Sequence, residues 1–318
     1  MRIALDREDD REMEVRDPSR TALTAALLRA VHTRLDRPRL IDDPWGDRLV
    51  SAGERAALCR RILADADPDR RKRLEALGSD QAVLDTVLRA HATYGGVILR
   101  SRYAEDALEA AAAHGVRQYV LVGAGLDSFC VRQPAFAHEL QIFEVDQPAS
   151  QALKRSWLVE AGVEVPANVR FVAADLSREP LGPALARAGF SRAALTFFSW
   201  LGVTIYLSRE ANLATLRAMA TSAAPGSELV FTYLDQRVLD ARRSPVVERM
   251  RAQRASLGEP WISGFDPTTL AAVLLDLGFV LLEDLGGREL TARYCAGRTD
   301  RLSAGTAGHV AHAQITSS

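Results

Sequence analysis

Long apolar runs, paired cysteines and a charge imbalance are all missing from this 318-residue chain. No stretch approaches the ~20 apolar residues that a bilayer-spanning helix needs, so no membrane association is expected. The opening residues, MRIALDREDDREMEVRD, are charged at once and carry no hydrophobic signal core. Three cysteines, Cys59, Cys130 and Cys295, lie far apart without CxxC spacing. That pattern excludes a disulfide framework and suits reduced thiols, so the expected location is cytoplasmic. A net charge of -1 with 25% charged residues gives no global basic field for nucleic acid. The six histidines form no motif. His32, His91 and His114 fall on predicted helices or their ends, His138 precedes a strand, and His309 and His312 lie near the C-terminus. No Ser/His/Asp grouping and no His/Cys cluster with zinc spacing appears, so no metal is expected. Internal repeats and low-complexity blocks are absent as well.

What the chain does have is a change of rhythm near residue 115. Residues 1–17 mix both charge signs with few large apolar groups and read as a mobile leader. Residues 18–114 read as a helical cap. Leu23, Leu27, Leu28, Val31 and Leu35 recur at helical spacing behind Ser19 as N-cap, and Pro38 ends that helix. The arginine-rich stretch 55–73, interrupted by Asp65, Asp67 and Asp69, reads as a solvated helix and turn. Residues 81–113 read as one long helix or two abutting ones, with Tyr94-Gly95-Gly96 as the break, and deliver Arg100 and Arg102 towards the next strand.

From there strands over 119–122, 141–145, 170–173, 194–199 and 228–233 alternate with helices over 147–161, 181–188 and 209–223. Such alternation predicts an α/β fold with a parallel sheet and helices on both faces. A helical insertion over 234–266 is expected to act as a lid, followed by a helix over 267–277 and two last strands over 279–283 and 289–296. The main domain then runs over 115–298, and residues 299–318 read as a flexible tail.

The most informative stretch is QYVLVGAGLDS, residues 118–128. An unbroken apolar run predicts a strand buried on both faces, and Gly123-Ala124-Gly125 ends it with a turn that a ligand approaches closely. The next strand ends at Asp146-Gln147 and the third at Asp175-Leu176. In an open parallel sheet, ligands gather beyond the carboxyl ends of the strands. Three successive tips therefore offer glycines, Asp146 and Asp175 to one crevice, where Asp146 accepts from ribose hydroxyls and Asp175 from an adenine amine. Both aspartates also suit plain helix capping.

The series GAGLDS, FEVDQP, AADL, WLGVTIYL and GEPWISGF, spread over 123–265, resembles the class I S-adenosylmethionine-dependent methyltransferases. More narrowly it resembles their leucine carboxyl methyltransferase-like group, which includes many actinobacterial O-methyltransferases. The resemblance implies a Rossmann-like, seven-stranded, mostly parallel sheet and S-adenosyl-L-methionine as cofactor. It implies that Arg100, with Arg102 as the alternative, holds the methionine carboxylate and that Gly123 lines the amino acid end. Asp146 would bind the ribose, Asp175 and the Leu176 backbone the adenine, and Ala124, Gly125, Gln147, Trp200 and Leu201 complete the set. Related enzymes carry a glutamate where this chain has Leu201, which makes an apolar wall. Other methyltransferase groups carry an acidic residue where this chain has Leu121.

The implied reaction is methyl transfer to a carboxylate or hydroxyl oxygen of a small molecule or a peptide end, as in secondary metabolism. Tyr206 either orients the acceptor or packs as an ordinary aromatic. Trp200, Trp261, Phe265 and Tyr233 are the aromatics expected around the acceptor, each equally suited to the core. An NAD-dependent oxidoreductase is the competing enzyme reading, because GAGLDS fits GxGxxG if Ser128 replaces the third glycine. No Tyr-x-x-x-Lys accompanies it. A non-catalytic cofactor-binding protein is the third, raised by Leu201.

Overall fold

The computed structural model describes residues 19–176, 178–240 and 261–317. Its sheet has seven strands, β1 (Gln118–Val122), β2 (Gln141–Asp146), β3 (Val169–Ala173), β4 (Thr196–Trp200), β5 (Glu228–Leu234), β6 (Phe279–Gly286) and β7 (Gly308–Ile315). Their order is β3-β2-β1-β4-β5-β7-β6, with β1 to β5 parallel and β7 antiparallel to both of its neighbours. Strand order reverses at β1, which lies between β2 and β4. A crevice at the carboxyl ends of β1 and β4 is the consequence.

Alternation along the strands sorts the core into two layers, because successive side chains point to opposite faces. Tyr119, Leu121, Ile142 and Phe197 pack towards the N-terminal helices, with Leu27, Val31, Ile98 and Leu108. Val120, Val122, Phe143, Val145, Phe198 and Trp200 pack on the other face, with Leu181, Leu216 and Leu270. All five residues of β1 are buried, as a strand covered on both faces requires.

Among the described residues six helices precede the sheet: α1 (Arg20–Leu35), α2 (Trp45–Leu49), α3 (Ala52–Asp65), α4 (Pro68–Glu75), α5 (Asp80–Arg89) and α6 (Tyr94–Ala113). Ser19 caps α1 through Ala22 N–H at 3.3 Å. Asp67 caps α4 ahead of Pro68, which needs no N–H in the first turn. The break between α5 and α6 falls before Tyr94, not at the glycines. Gly95 sits inside α6, where a Cβ would fall 1.9 Å from the Ser303 carbonyl oxygen. That glycine serves close packing.

The remaining helices among the described residues are α7 (Phe129–Arg132), α8 (Pro148–Glu160), α9 (Leu181–Arg187), α10 (Arg209–Ser222), α11 (Gln236–Asp240), α12 (Leu270–Asp276) and α13 (Gly287–Cys295). Two expectations for the C-terminal part are corrected. The strand expected over 289–296 is helix α13, and the last strand is β7, inside the stretch expected to be a tail. Helical spacing in α13 buries Leu290 and sends Arg293 to Glu283 and Tyr294 to Asp106. In β7 Val310, Ala311, Ala313 and Ile315 are buried, and its two histidines are met by carboxylates from neighbouring strands. The leader expected over 1–17 and much of the expected lid, 241–260, lie outside the described residues.

Candidate functional site

Beyond the carboxyl ends of β1 to β4 lies a cavity of about 690 Å³. Arg100, Gly123, Ala124, Gly125, Asp146, Gln147, Asp175, Leu176, Trp200, Leu201 and Tyr206 all line it. The N-terminal turn of α1 forms the opposite wall, through Ser19, Arg20, Thr21 and Ala22.

The glycine turn is built for close approach. Gly123 has φ +69, and a Cβ there would fall 2.5 Å from Val203 Cγ2. Gly125 has φ +50, in the region that side chains other than glycine's rarely adopt. The turn is tied to β2 by Gly123 N–H donating to the Val145 carbonyl at 2.8 Å and by Gly125 N–H donating to the Asp146 carboxylate. Asp146 also accepts from Gln147 N–H at 2.7 Å. Burial pushes its pKa up, and the two N–H bonds hold it back only in part. A carboxylate has about four acceptor sites, so two remain for a ligand.

Beneath the turn is a buried ion pair. Lys154 of α8 donates to both oxygens of Glu144 in β2, at 2.7 and 2.6 Å, and to the Asp127 carbonyl at 2.6 Å. Buried ions persist when paired and fully hydrogen-bonded, and this one fixes the loop after Gly125 to the strand below. Nothing in the local pattern around Lys154 or Glu144 announces the pair, which depends on a contact between β2 and α8.

Arg100 extends from α6 into the cavity wall. Burial and the neighbouring charge of Arg29 pull its pKa down to about 10, and it stays charged at neutral pH. No carboxylate among the described residues forms an ion pair with it. Gly202, with φ +73, leaves room for the guanidinium, since a Cβ there would lie 2.7 Å from Arg100 Nη2. Arg102 instead pairs with Asp106 and donates to the Leu40 carbonyl at 3.2 Å, within the helical cap. Of the two arginines, only Arg100 reaches the cavity.

Three further charged residues line the cavity that sequence reasoning missed, Arg20, Arg29 and Asp127. Arg29 Nε donates to Asp43 at 2.6 Å and its Nη2 to the Leu126 carbonyl at 2.9 Å. It reads in the sequence as a polar interruption of an apolar helix, which is the one signal available. The expected aromatic acceptor wall is corrected. Trp261, Phe265 and Tyr233 do not line the cavity; Tyr233 donates to Asp284 at 2.7 Å and stacks on His309 at 4.9 Å. Phe265 is a core residue against Phe231 and Tyr233, and the Trp200 indole packs in the same layer. Among the described residues no group of three His, Cys, Asp or Glu is placed to hold a metal, and no helix is long and apolar enough to cross a membrane.

Comparison with known proteins matches residues 22–220 to the leucine carboxyl methyltransferase model. This chain belongs to the leucine carboxyl methyltransferase family. The family lies within the class I S-adenosylmethionine-dependent methyltransferases, whose Rossmann-like sheet this is. YktD of Bacillus subtilis (strain 168), named as a candidate S-adenosyl-L-methionine-dependent methyltransferase, is 32% identical over 303 residues, 95% of this chain and 99% of that protein. A protein of Mycolicibacterium smegmatis with the same kind of name is 35% identical over 219 residues, 69% of this chain and 68% of its own length. Among solved structures, a candidate methyltransferase of Thermobifida fusca superposes with TM-score 0.51 at 18% identity, over 77% of this chain and 93% of that one. At that identity the likeness shows the fold alone. In this family member the departure at Leu201 is an apolar, half-buried side chain on the cavity wall.

Proposed function

We propose that this S-adenosyl-L-methionine-dependent methyltransferase acts on oxygen and that its acceptor is the carboxylate of a small molecule or a peptide end. The residues present suit the cofactor. Arg100 is an enclosed cation with which no carboxylate among the described residues forms an ion pair, Asp146 keeps two acceptor sites, and Gly123 and Gly125 form a positive-φ turn on the cavity wall. On this reading Arg100 holds the methionine carboxylate in its planar fork of donors. Asp146 receives the ribose hydroxyls, and Asp175 with the Leu176 backbone reads the adenine, beside Ala124, Gln147, Trp200 and Leu201. When bound, the cofactor supplies an electrophilic methyl group on a sulfonium.

The observation that carries the choice of acceptor is the cavity's side-chain chemistry. Three arginines, Arg20, Arg29 and Arg100, line it, and among the described residues no His, Cys, Lys or Glu does. A carboxylate acceptor, with a pKa near ~4, is already ionised at neutral pH and needs no base, whereas a phenol near ~10 would. The protein's task is then to align the acceptor oxygen and exclude water, which proximity and orientation alone accomplish. Tyr206 lines the cavity and donates to Thr21 Oγ1 at 3.4 Å; on this reading it orients the acceptor. The volume of about 690 Å³ suits small-molecule ligands, whose pockets span ~300–1,000 Å³.

The test is transfer of labelled methyl from the cofactor to a panel of carboxylates, phenols and a host-cell extract. The expected product is an ester whose label is released as methanol in mild alkali. Label retained on oxygen as an alkali-stable ether would overturn the carboxylate reading.

A further inference from the structure

Two opposite charges face the cavity without neutralising each other. Arg100 and Asp127 both line it and lie within electrostatic reach, yet no ion pair joins them. Asp127 is held rigidly. Its N–H donates to the Ala124 carbonyl at 2.8 Å, its carbonyl accepts from Lys154 at 2.6 Å, and its Oδ1 accepts from Phe129 N–H at 2.8 Å. The other carboxylate oxygen, Oδ2, makes no hydrogen bond to a described residue. A half-buried carboxylate fixed in place with one oxygen in hand is a preorganised acceptor.

We infer that Asp127 binds the α-ammonium of the cofactor's amino acid end, completing with Arg100 a clamp for a zwitterion. A group bearing a carboxylate and an ammonium on one carbon matches a wall that presents a guanidinium and a carboxylate across a gap. Leu121, two residues before Gly123, offers no charge there, so Asp127 is the carboxylate that the glycine turn itself supplies. The Lys154–Glu144 pair has a role in this arrangement. It holds the Asp127 backbone against β2, so the side chain need not be ordered when ligand arrives. The inference rests on the reading of Arg100 given above.

Three ligands separate the possibilities by titration calorimetry: S-adenosylhomocysteine, its deamino analogue that keeps the carboxylate, and 5′-methylthioadenosine, which lacks the amino acid end. Asp127→Asn retains an oxygen for Phe129 N–H, so the turn is kept; its thermal midpoint is measured alongside. A hydrogen bond to a charged group is worth enough for Asp127→Asn to weaken S-adenosylhomocysteine about tenfold or more. The same variant leaves the deamino analogue and methylthioadenosine within about threefold of the original protein. Arg100→Met weakens the first two ligands and spares the third. Equal weakening of all three ligands by Asp127→Asn, or none, overturns the clamp. If Arg100→Met spares S-adenosylhomocysteine, the earlier reading fails first and separately.

Discussion

Replacing Asp146 by asparagine tests the cofactor half of the site most directly. Its carboxylate accepts from Gly125 N–H through one oxygen and from Gln147 N–H through the other. Asparagine offers one oxygen and one NH2 group, so one of those two backbone donors would face another donor. The ribose would at the same time lose a charged acceptor for at least one hydroxyl. Hydrogen bonds to charged groups contribute about 1.5–3 kcal/mol each. Losing one ribose bond therefore weakens S-adenosylhomocysteine about 10- to 100-fold, at ~1.4 kcal/mol per tenfold. Titration calorimetry reads that change, and differential scanning fluorimetry reads the smaller loss from the unpaired turn.

The pH dependence has a defined sign. Burial lifts the Asp146 carboxyl above its ordinary value in the free protein. If Asp146 receives the ribose as proposed, the ribose donors favour the charged form, so binding is tied to proton release and affinity falls as pH drops through the raised pKa. In Asp146→Asn that acid limb disappears. A folded Asp146→Asn protein that binds S-adenosylhomocysteine within about threefold of the original would refute the reasoning, since a single lost charged hydrogen bond already exceeds that change.

Arg29→Met strands the fully buried Asp43, whose carboxyl is pushed up by burial but held below its usual range by Arg29. Breaking one partner of such a pair costs about 3–5 kcal/mol, so the thermal midpoint falls on the order of 10 °C in a melting curve. A shift of a degree or less would contradict it. Ending the chain at residue 299 removes β7, which pairs with β5 through seven residues from Glu228 to Leu234. The expected outcome is loss of soluble, monodisperse protein by size-exclusion chromatography, where a dispensable tail would leave it intact.

The cofactor half of the fold was legible because it is local. β1, β2 and β3 are each a short, largely apolar run, and the residues that follow them or end them are Gly123, Asp146 and Asp175. A parallel strand covered on both faces writes itself as continuous apolar sequence. A polar residue or glycine at its tip is then visible without knowing any partner.

β7 was not legible for the opposite reason. Six of the eight residues of GHVAHAQI are small or polar, and only pairing on both sides makes it a strand. His309 and His312 look like tail residues until Asp284 and Glu228, distant in the sequence, are placed beside them. The stretch over 289–296 misleads in the other direction, because Thr291, Tyr294 and Cys295 favour strands while its contacts to Glu283 and Asp106 need a helix. Lys154, Arg29 and Asp127 escaped notice because each acquires its meaning from a partner on another element.

On the proposed reading, the cap residues that line the cavity face the acceptor. Of the six charged side chains on the cavity wall, the proposals above give Asp146, Asp175, Asp127 and Arg100 to the cofactor. Arg29 is already neutralised by Asp43. That leaves Arg20, exposed at the first turn of α1, where no acidic residue offsets the helix N-terminus. A carboxylate approaching the mouth would meet this charge first. Arg20→Gln should therefore raise KM for the acceptor about fivefold, the effect of a solvent-screened pair worth ~1 kcal/mol, while leaving S-adenosylhomocysteine affinity unchanged. The effect should shrink as salt is added, because exposed charges are screened beyond ~10 Å at about 0.1 M. An unchanged KM at low salt, or a parallel loss of cofactor affinity, would show that Arg20 does not face the acceptor.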